Sequence, residues 1–147
     1  MYKRQCWRNV NLKVPSSTSI TGEIYAGMPS NITISGNDFD ATVTVIFKEG
    51  STTRATLTGQ SVSSGSLTVT VPSGVYGQSV GDTITITITN TDGVVSGGSN
   101  KTIQSTPTGG TVSTSGNYRV HTFTSSGTLN APSGWSTSYD YLVVAGG

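Results

Sequence analysis

Apolar and polar residues alternate repeatedly along this chain, most clearly between residues 82 and 93. Ile84, Ile86 and Ile88 are separated by threonines, and Asp92-Gly93 follows them. Successive side chains of a strand point to opposite faces, so the run predicts a strand with one apolar and one hydroxyl face. The Asp-Gly pair favours a hairpin turn. Because the apolar face needs a second sheet to cover it, the pattern predicts a β-sandwich.

Other segments show the same alternation, or short apolar runs between turn residues. Strands are predicted at residues 19–25, 31–35, 42–48, 54–57, 60–63, 67–71 and 101–104. The last of these is predicted to return as the partner of residues 82–90, with Gly97-Gly98 allowing a bulge. Single glycines separate the runs, namely Gly36, Gly50, Gly59, Gly65, Gly74 and Gly81. About seven short strands punctuated in this way are typical of an immunoglobulin-like sandwich.

The first sixteen residues are predicted to be an N-terminal extension. Residues 1–5 resemble a translated sequencing adapter, and we interpret them as an artefact rather than as a basic N-terminus. Val10, Leu12 and Val14 alternate before Pro15. They are either the last strand of a preceding domain or an edge strand of this one, since proline is tolerated at strand ends. Residues 15–19 are predicted to be a linker or turn.

Charged residues make up only 10% of the chain, against about 25% in an average domain. Ser, Thr, Asn and Gly supply the polarity instead, which suits short strands and tight turns. The formal net charge is +1, so nucleic-acid binding has little electrostatic support. Cys6 is the only cysteine, which excludes an internal disulfide and a multi-cysteine zinc site. No apolar run is long enough to span a membrane, so no membrane partner is expected.

Several short motifs occur in a fixed order between residues 34 and 93. Gly36 precedes Phe39 by three residues, a valine-rich run follows at 43–47, and Val71-Pro72 and Asn90 with Asp92-Gly93 come later. This order resembles the IPT/TIG family of immunoglobulin-like domains across residues 17–105. The chain departs from the family in its polar, Ser/Gly-rich middle and in a final strand without the usual aromatic. The resemblance implies the sandwich fold and a spacer or interaction module of cell-surface proteins, receptors, extracellular enzymes or phage particles.

After Ser105 the composition changes. Residues 106–116 are rich in Pro, Gly, Ser and Thr and are predicted to be a linker. Residues 117–129 and 139–147 resemble the opening of a glycine-rich domain found in tail fibres and other structural proteins of tailed phages. In that family the phrase resembling residues 141–147 runs on into polyglycine. Residues 117–147 are therefore predicted to be the truncated start of a glycine-rich β domain.

Few side chains are candidates for catalysis or metal binding. His121 is the only histidine, and no triad signature surrounds it, so a structural or surface role is favoured. Asp38, Asp40 and Asp92 offer oxygen ligands of the kind calcium prefers, but they form no full ligand set. Phe39, which lies between Asp38 and Asp40, fits the core aromatic of the IPT/TIG motif, so the two aspartates are expected to be loop residues beside a buried ring. No catalytic, cofactor-binding or metal-binding residue is therefore predicted, and no cofactor.

Three aromatic residues near the C-terminus leave two interpretations open. Trp135, Tyr139 and Tyr141 are either a platform on which sugar rings stack or core residues of the small C-terminal module. A core position is favoured for Tyr141, whereas both interpretations stay open for Trp135.

Together the patterns and resemblances imply a non-enzymatic structural or adhesion module of a tailed-phage virion, such as a tail fibre or related appendage. The alternatives are a bacterial cell-surface adhesin with immunoglobulin-like repeats and an accessory domain of an extracellular carbohydrate-active enzyme. The expected location is the virion, the cell surface or the extracellular space. Expected partners are other virion or surface proteins, a host-surface glycan or receptor, and further copies of the chain, as in a trimer.

Overall fold

A computed structural model describes residues 13–116, 118–133, 135 and 138–144. The chain divides into two compact units, residues 1–104 and 105–147. This division falls one residue from the predicted end of the sandwich. The predictions for residues 1–12, which concern the adapter segment, Cys6 and most of the first candidate strand, lie outside the described residues.

The described part of the N-terminal unit is built almost entirely of β-strands. β1, β3 and β6 form one sheet in that order, and a second sheet has the order β2-β8-β7-β4-β5. Neighbours are antiparallel, except that β2 and β8 are parallel. The predicted all-β class is confirmed. The elements are β1 (Ser16–Thr21), β2 (Ile24–Tyr25), β3 (Asn31–Asn37), β4 (Thr42–Glu49), β5 (Thr52–Ser61), β6 (Ser66–Thr70), α1 (Ser73–Tyr76), β7 (Thr83–Thr89) and β8 (Ser99–Gln104).

Both sheets direct their apolar side chains into one hydrophobic core. Ile84, Ile86 and Ile88 are at most 1% exposed, which confirms the predicted facing of β7. The threonines between them lie on the opposite face. The same alternation places one face of β3, β4 and β6 in the core, whereas β5 adds only the partly buried Ala55 and Leu57. The other core members are Ile24, Ile32, Ile34, Val43, Val45, Phe47, Leu67, Val69, Val71, Val75 and Ile103.

The segment predicted as one strand at residues 19–25 belongs instead to two strands in different sheets. β1 begins at Ser16, so the predicted linker at residues 15–19 is also wrong. The chain leaves β1 at Gly22, whose φ is +84°. A Cβ on Gly22 would lie 2.4 Å from the Asn31 carbonyl oxygen. Only glycine therefore fits the point where the chain crosses between the sheets.

β5 joins the two short segments predicted at residues 54–57 and 60–63. Gly59 lies inside this strand with φ +64°, beside a register shift between Val43 and Val45 of β4. Such a bulge interrupts the alternation of side chains, which explains why the sequence pattern divides the strand. Gly36 likewise lies inside β3 rather than in a turn.

The turn after β7 has the predicted form. Gly93 adopts φ +86°, and its N–H donates to the Asn90 carbonyl oxygen over 3.0 Å. The pairing of Thr89 with Val95 is one residue out of step with the pairing of Ile86 and Ser99. This offset confirms the bulge predicted around Gly97-Gly98.

In the C-terminal unit, β9 (Thr111–Ser115) and β10 (Tyr118–Thr122) form a two-stranded antiparallel ribbon. The predicted linker at residues 106–116 is therefore wrong for β9. The apolar run at residues 142–144 would suit a strand of the predicted β domain, but these residues form no strand and their side chains are exposed. No described aromatic or branched apolar side chain of this unit is fully buried. Across the described residues, no helix is both long and apolar enough to cross a membrane.

Candidate functional site

The loops at one end of the N-terminal unit are organised around the side chain of Asn90, at the end of β7. Asn90 is only 4% exposed. Its Oδ1 accepts the backbone N–H of Asp40 over 3.1 Å, and its Nδ2 donates to the Asp38 carbonyl oxygen over 2.8 Å. Nδ2 also donates to a second acceptor, the Lys13 carbonyl oxygen, over 3.4 Å. One buried amide thus ties the β3–β4 loop and the segment before β1 to the end of β7.

The carboxylate of Asp40 is held by Thr91, across the same group of loops. The Thr91 hydroxyl and the Thr91 backbone N–H both donate to Oδ2 of Asp40. These bonds favour the charged form, the hydroxyl most strongly, and hold the pKa of Asp40 below its usual value. The Asp40 carboxylate is therefore a fixed element of the loop structure.

The other two aspartates considered as calcium ligands are not brought into a common site. Asp92 Oδ1 accepts the N–H of Val94 over 3.0 Å and so shapes its own turn. Asp38 is exposed and adopts φ +58°. Within the described residues, no three His, Cys, Asp or Glu side chains converge as a metal site requires. The arrangement organises loops, and carboxylates that accept backbone N–H groups have fewer lone pairs for a cation.

His121 lies on β10, in the C-terminal unit. Its Nδ1 is 2.7 Å from the Gly109 carbonyl oxygen. A carbonyl oxygen only accepts, so Nδ1 carries the proton and donates. Nε2 is buried and has no hydrogen-bond partner among the described residues. A general base needs a nucleophile within hydrogen-bond reach, and the described part of the chain places none at Nε2.

Two of the three C-terminal aromatic residues contact each other. The rings of Trp135 and Tyr139 are stacked, with centroids 6.2 Å apart and an interplanar angle of 28°. Each ring therefore covers one face of the other. Tyr141 is 90% exposed, so the predicted core position of Tyr141 is wrong.

Sequence reasoning missed two buried polar groups that organise the end of β7. The sequence marks Asn90 only as a strand terminus, and no local signal shows its bonds to a loop about fifty residues away. Ser96 is 7% exposed and belongs to none of the sequence motifs. Its Oγ accepts the Ile88 N–H over 2.8 Å, and its own N–H donates to the Ile88 carbonyl oxygen over 2.7 Å. Ser96 thereby continues the backbone ladder across the bulge.

Neither the known protein-family models nor the curated proteins contain a match to this chain.

Proposed function

We propose that this chain is a non-enzymatic structural or adhesion module. We further propose that its N-terminal unit is an immunoglobulin-like sandwich of the IPT/TIG type. In this proposal it belongs to a tail fibre or related appendage of a tailed-phage virion. Its partners are other proteins of the appendage and a receptor or glycan on the host surface.

The strand order is the observation that carries the immunoglobulin-like assignment. Constant-type immunoglobulin domains place their first, second, fourth and fifth strands in one sheet, with the third, sixth and seventh in the other. In this comparison β1, β3 and β6 correspond to the first, second and fifth strands, and β4, β7 and β8 to the third, sixth and seventh. β2 and β5 are additional edge strands, and the described residues contain no counterpart of the fourth strand. Consecutive strands often lie in different sheets, so the chain crosses between the sheets several times, as in a Greek key.

The Gly36–Phe39 motif has a physical role that supports the IPT/TIG resemblance. A Cβ on Gly36 would lie 2.4 Å from Cζ of Phe39 and 2.1 Å from the Ser16 carbonyl oxygen. Glycine therefore lets the Phe39 ring and β1 approach the backbone of β3 closely. Phe39 is partly buried and packs against the core, as a structural aromatic should.

The polar groups of the loops support a structural rather than a catalytic role. The side chains of Asn90, Asp40 and Asp92 all form hydrogen bonds with neighbouring loop atoms. Catalytic groups need to be free to contact a substrate. Loops fixed in this way suit a module that holds its shape between neighbouring domains.

The parallel pairing of β2 with β8 suits a module that bears load. Ile24 pairs with Ile103, Tyr25 pairs with Gln104, and the Ala26 N–H donates to the Gln104 carbonyl oxygen over 2.9 Å. Because β2 lies near the start of the unit and β8 at its end, pulling on both ends shears these bonds together. Shearing loads several hydrogen bonds at once, whereas peeling breaks them one at a time.

Single-molecule pulling on the 147-residue chain tests the spacer role. We expect one cooperative unfolding event for the N-terminal unit, at a force that Ala26→Pro lowers because it removes the N–H bonded to Gln104. Thr102→Ala, on the exposed face of β8, is the control and should leave the force unchanged. Extension of the unit without a resisting event would contradict a load-bearing role.

Sequencing outward from the gene in its source DNA tests the proposed location. Neighbouring genes for tail and baseplate proteins are expected. A signal peptide and cell-wall anchor in the same reading frame would indicate the adhesin instead. A hydrolase domain in that frame would indicate an enzyme accessory domain.

A further inference from the structure

β6 differs from the other edge strands of the two sheets in the N-terminal unit. Edge strands usually carry charges, prolines or bulges, or are very short, which prevents pairing with other chains. β5 contains Arg54 and two register shifts, β1 contains one register shift, and β2 has two residues. β6 has no charge, no proline and an unbroken register with β3. Its outer edge therefore lacks the usual protection.

The hydrogen bonds show which backbone groups of β6 face outward. The Val71 N–H donates to the Ser30 carbonyl oxygen on the β3 side, whereas Ser66 exchanges two bonds with Ser63 on the other side. Backbone groups of alternate residues point to opposite edges of a strand. The N–H and C=O groups of Thr68 and Thr70 therefore point away from β3. No described residue pairs with these four groups.

We propose that this edge of β6 pairs with the same edge of a second copy of the chain, in an antiparallel register centred on Val69. In this register Thr68 of each copy lies opposite Thr70 of the other. The free N–H and C=O groups of both residues are then bonded in both copies, through four hydrogen bonds in all. Val69 then faces its own counterpart, and Leu67 faces Val71. Apolar residues meet apolar residues on the core side, and hydroxyl residues meet hydroxyl residues on the outer side.

The two ends of the pairing are also accounted for. Ser63 already bonds both backbone groups of Ser66 on this edge and occupies the position beside it, so the pairing ends where Leu67 lies opposite Val71 of the other copy. The next residue, Pro72, has no N–H to leave unpaired. The chain turns into α1 directly after Pro72. A register centred on Thr68 uses only two free groups, because it sets Thr70 opposite the already bonded Ser66.

Charge and side-chain chemistry favour a second copy over an unrelated peptide. A two-fold axis brings each residue near its own equivalent, so any charge on the strand would repel itself. β1, β3 and β6 contain no charged residue. Thr33 and Thr68 already form a 2.8 Å hydroxyl–hydroxyl bond across β3 and β6. Thr68 and Thr70 are exposed and can extend such contacts across the new pair.

Sedimentation equilibrium of the 147-residue chain is the test. Four hydrogen bonds and a short strand make a small interface, so we expect a weak dimer. The average mass should rise from 15.1 kDa toward twice that value as the concentration increases from about 10 µM to about 1 mM. Variants carrying Thr68→Lys and Thr70→Lys together, or both changes to Glu, should each stay monomeric. Mixing the two variants should restore the dimer, because the register brings opposite charges together.

Thr68→Pro provides a second disruption, because the Thr68 N–H makes no bond within the chain and its loss leaves β3–β6 pairing intact. Thr21→Lys, at the opposite edge of the same sheet, is the control and should dimerise like the unchanged chain. A chain that stays at 15.1 kDa throughout the range overturns the proposal. So does a dimer that survives the Thr68 and Thr70 changes but is lost with Leu142→Ser and Val144→Ser. Either result leaves the proposed structural function to its own tests.

Discussion

Asn90 and Asp40 are fifty residues apart in sequence and are joined by a 3.1 Å hydrogen bond from the Asp40 N–H to the Asn90 Oδ1. The same amide donates to the Asp38 carbonyl oxygen, so one side chain serves a donor and an acceptor of one loop. A buried amide that lost these partners would leave polar backbone groups unsatisfied. The β3–β4 loop therefore depends on the residue at the end of β7.

Asn90→Leu should destabilise the N-terminal unit by about 1–3 kcal/mol or more, because it leaves the Asp40 N–H and the Asp38 carbonyl oxygen without partners. Urea unfolding followed by far-ultraviolet circular dichroism, which reports the loss of β-structure, measures the change. Asn100→Leu is the matched control, since the Asn100 side chain is exposed and accepts a hydrogen bond from the Thr85 hydroxyl at the surface. Equal losses for the two variants would show that the loops do not depend on Asn90.

Ile86→Ala should cost about 2–5 kcal/mol, because it opens a cavity at the centre of the core. Thr85→Ala, on the opposite face of β7, should cost about 1 kcal/mol, the typical contribution of its hydrogen bond to Asn100. Thermal or urea unfolding of both variants gives the comparison. Similar values for the two changes would mean that the facing of β7 is wrong.

Gly36→Ala should destabilise the N-terminal unit by about 1–3 kcal/mol, because the new methyl group has no room between the Phe39 ring and the Ser16 carbonyl oxygen. β1 or Phe39 has to move away from β3. Gly97→Ala is the control, since no atom lies within 4 Å of the added carbon there. The urea concentration at the unfolding midpoint is compared for the two variants and the unchanged chain. An unchanged midpoint for Gly36→Ala would refute the close packing.

The stability contributed by Asp40 should depend on pH. The folded-state pKa of Asp40 is lowered from its ordinary value, which the carboxyl group has in the unfolded chain. Its contribution is therefore fully present above that unfolded value and is lost as the pH falls through the lower folded-state pKa. Thr91→Val removes the hydroxyl that lowers the pKa most. Melting temperatures of the two proteins should differ near neutral pH and converge in acid, and a constant difference across the range would contradict this.

The C-terminal unit should be less stable than the N-terminal unit. A two-stranded ribbon is marginally stable at best, and Val112, Val120 and Phe123 remain substantially exposed. Limited proteolysis should cut first within residues 105–110, ahead of β9, and leave the N-terminal unit intact. The released fragment should be degraded quickly or aggregate. Recovery of that fragment as a stable, cooperatively melting monomer would contradict the expectation.

Local patterns in the sequence were sufficient to predict most strands, their facing and one turn. β7 is predicted correctly because alternation of Ile and Thr depends only on neighbouring residues and on the two-residue period of a strand. The turn at Gly93 follows from a residue that tolerates positive φ. The failures also have local causes. The bulge at Gly59 breaks the period of β5, and Gly22 ends β1 within what looked like a single strand.

Tertiary structure alone decided which segments meet. The sequence does not show that Asn90 bonds the loop after β3, that Ser96 bonds Ile88, or that β1 and β2 join different sheets. These contacts depend on how distant strands pair, and residue type at one position carries no information about a partner chosen by the whole chain. Tyr141 is a further example. Its aromatic side chain predicts burial, but burial requires other residues to pack around the ring, and the side chain is 90% exposed. The free edge of β6 likewise arises only because β6 lies last in its sheet.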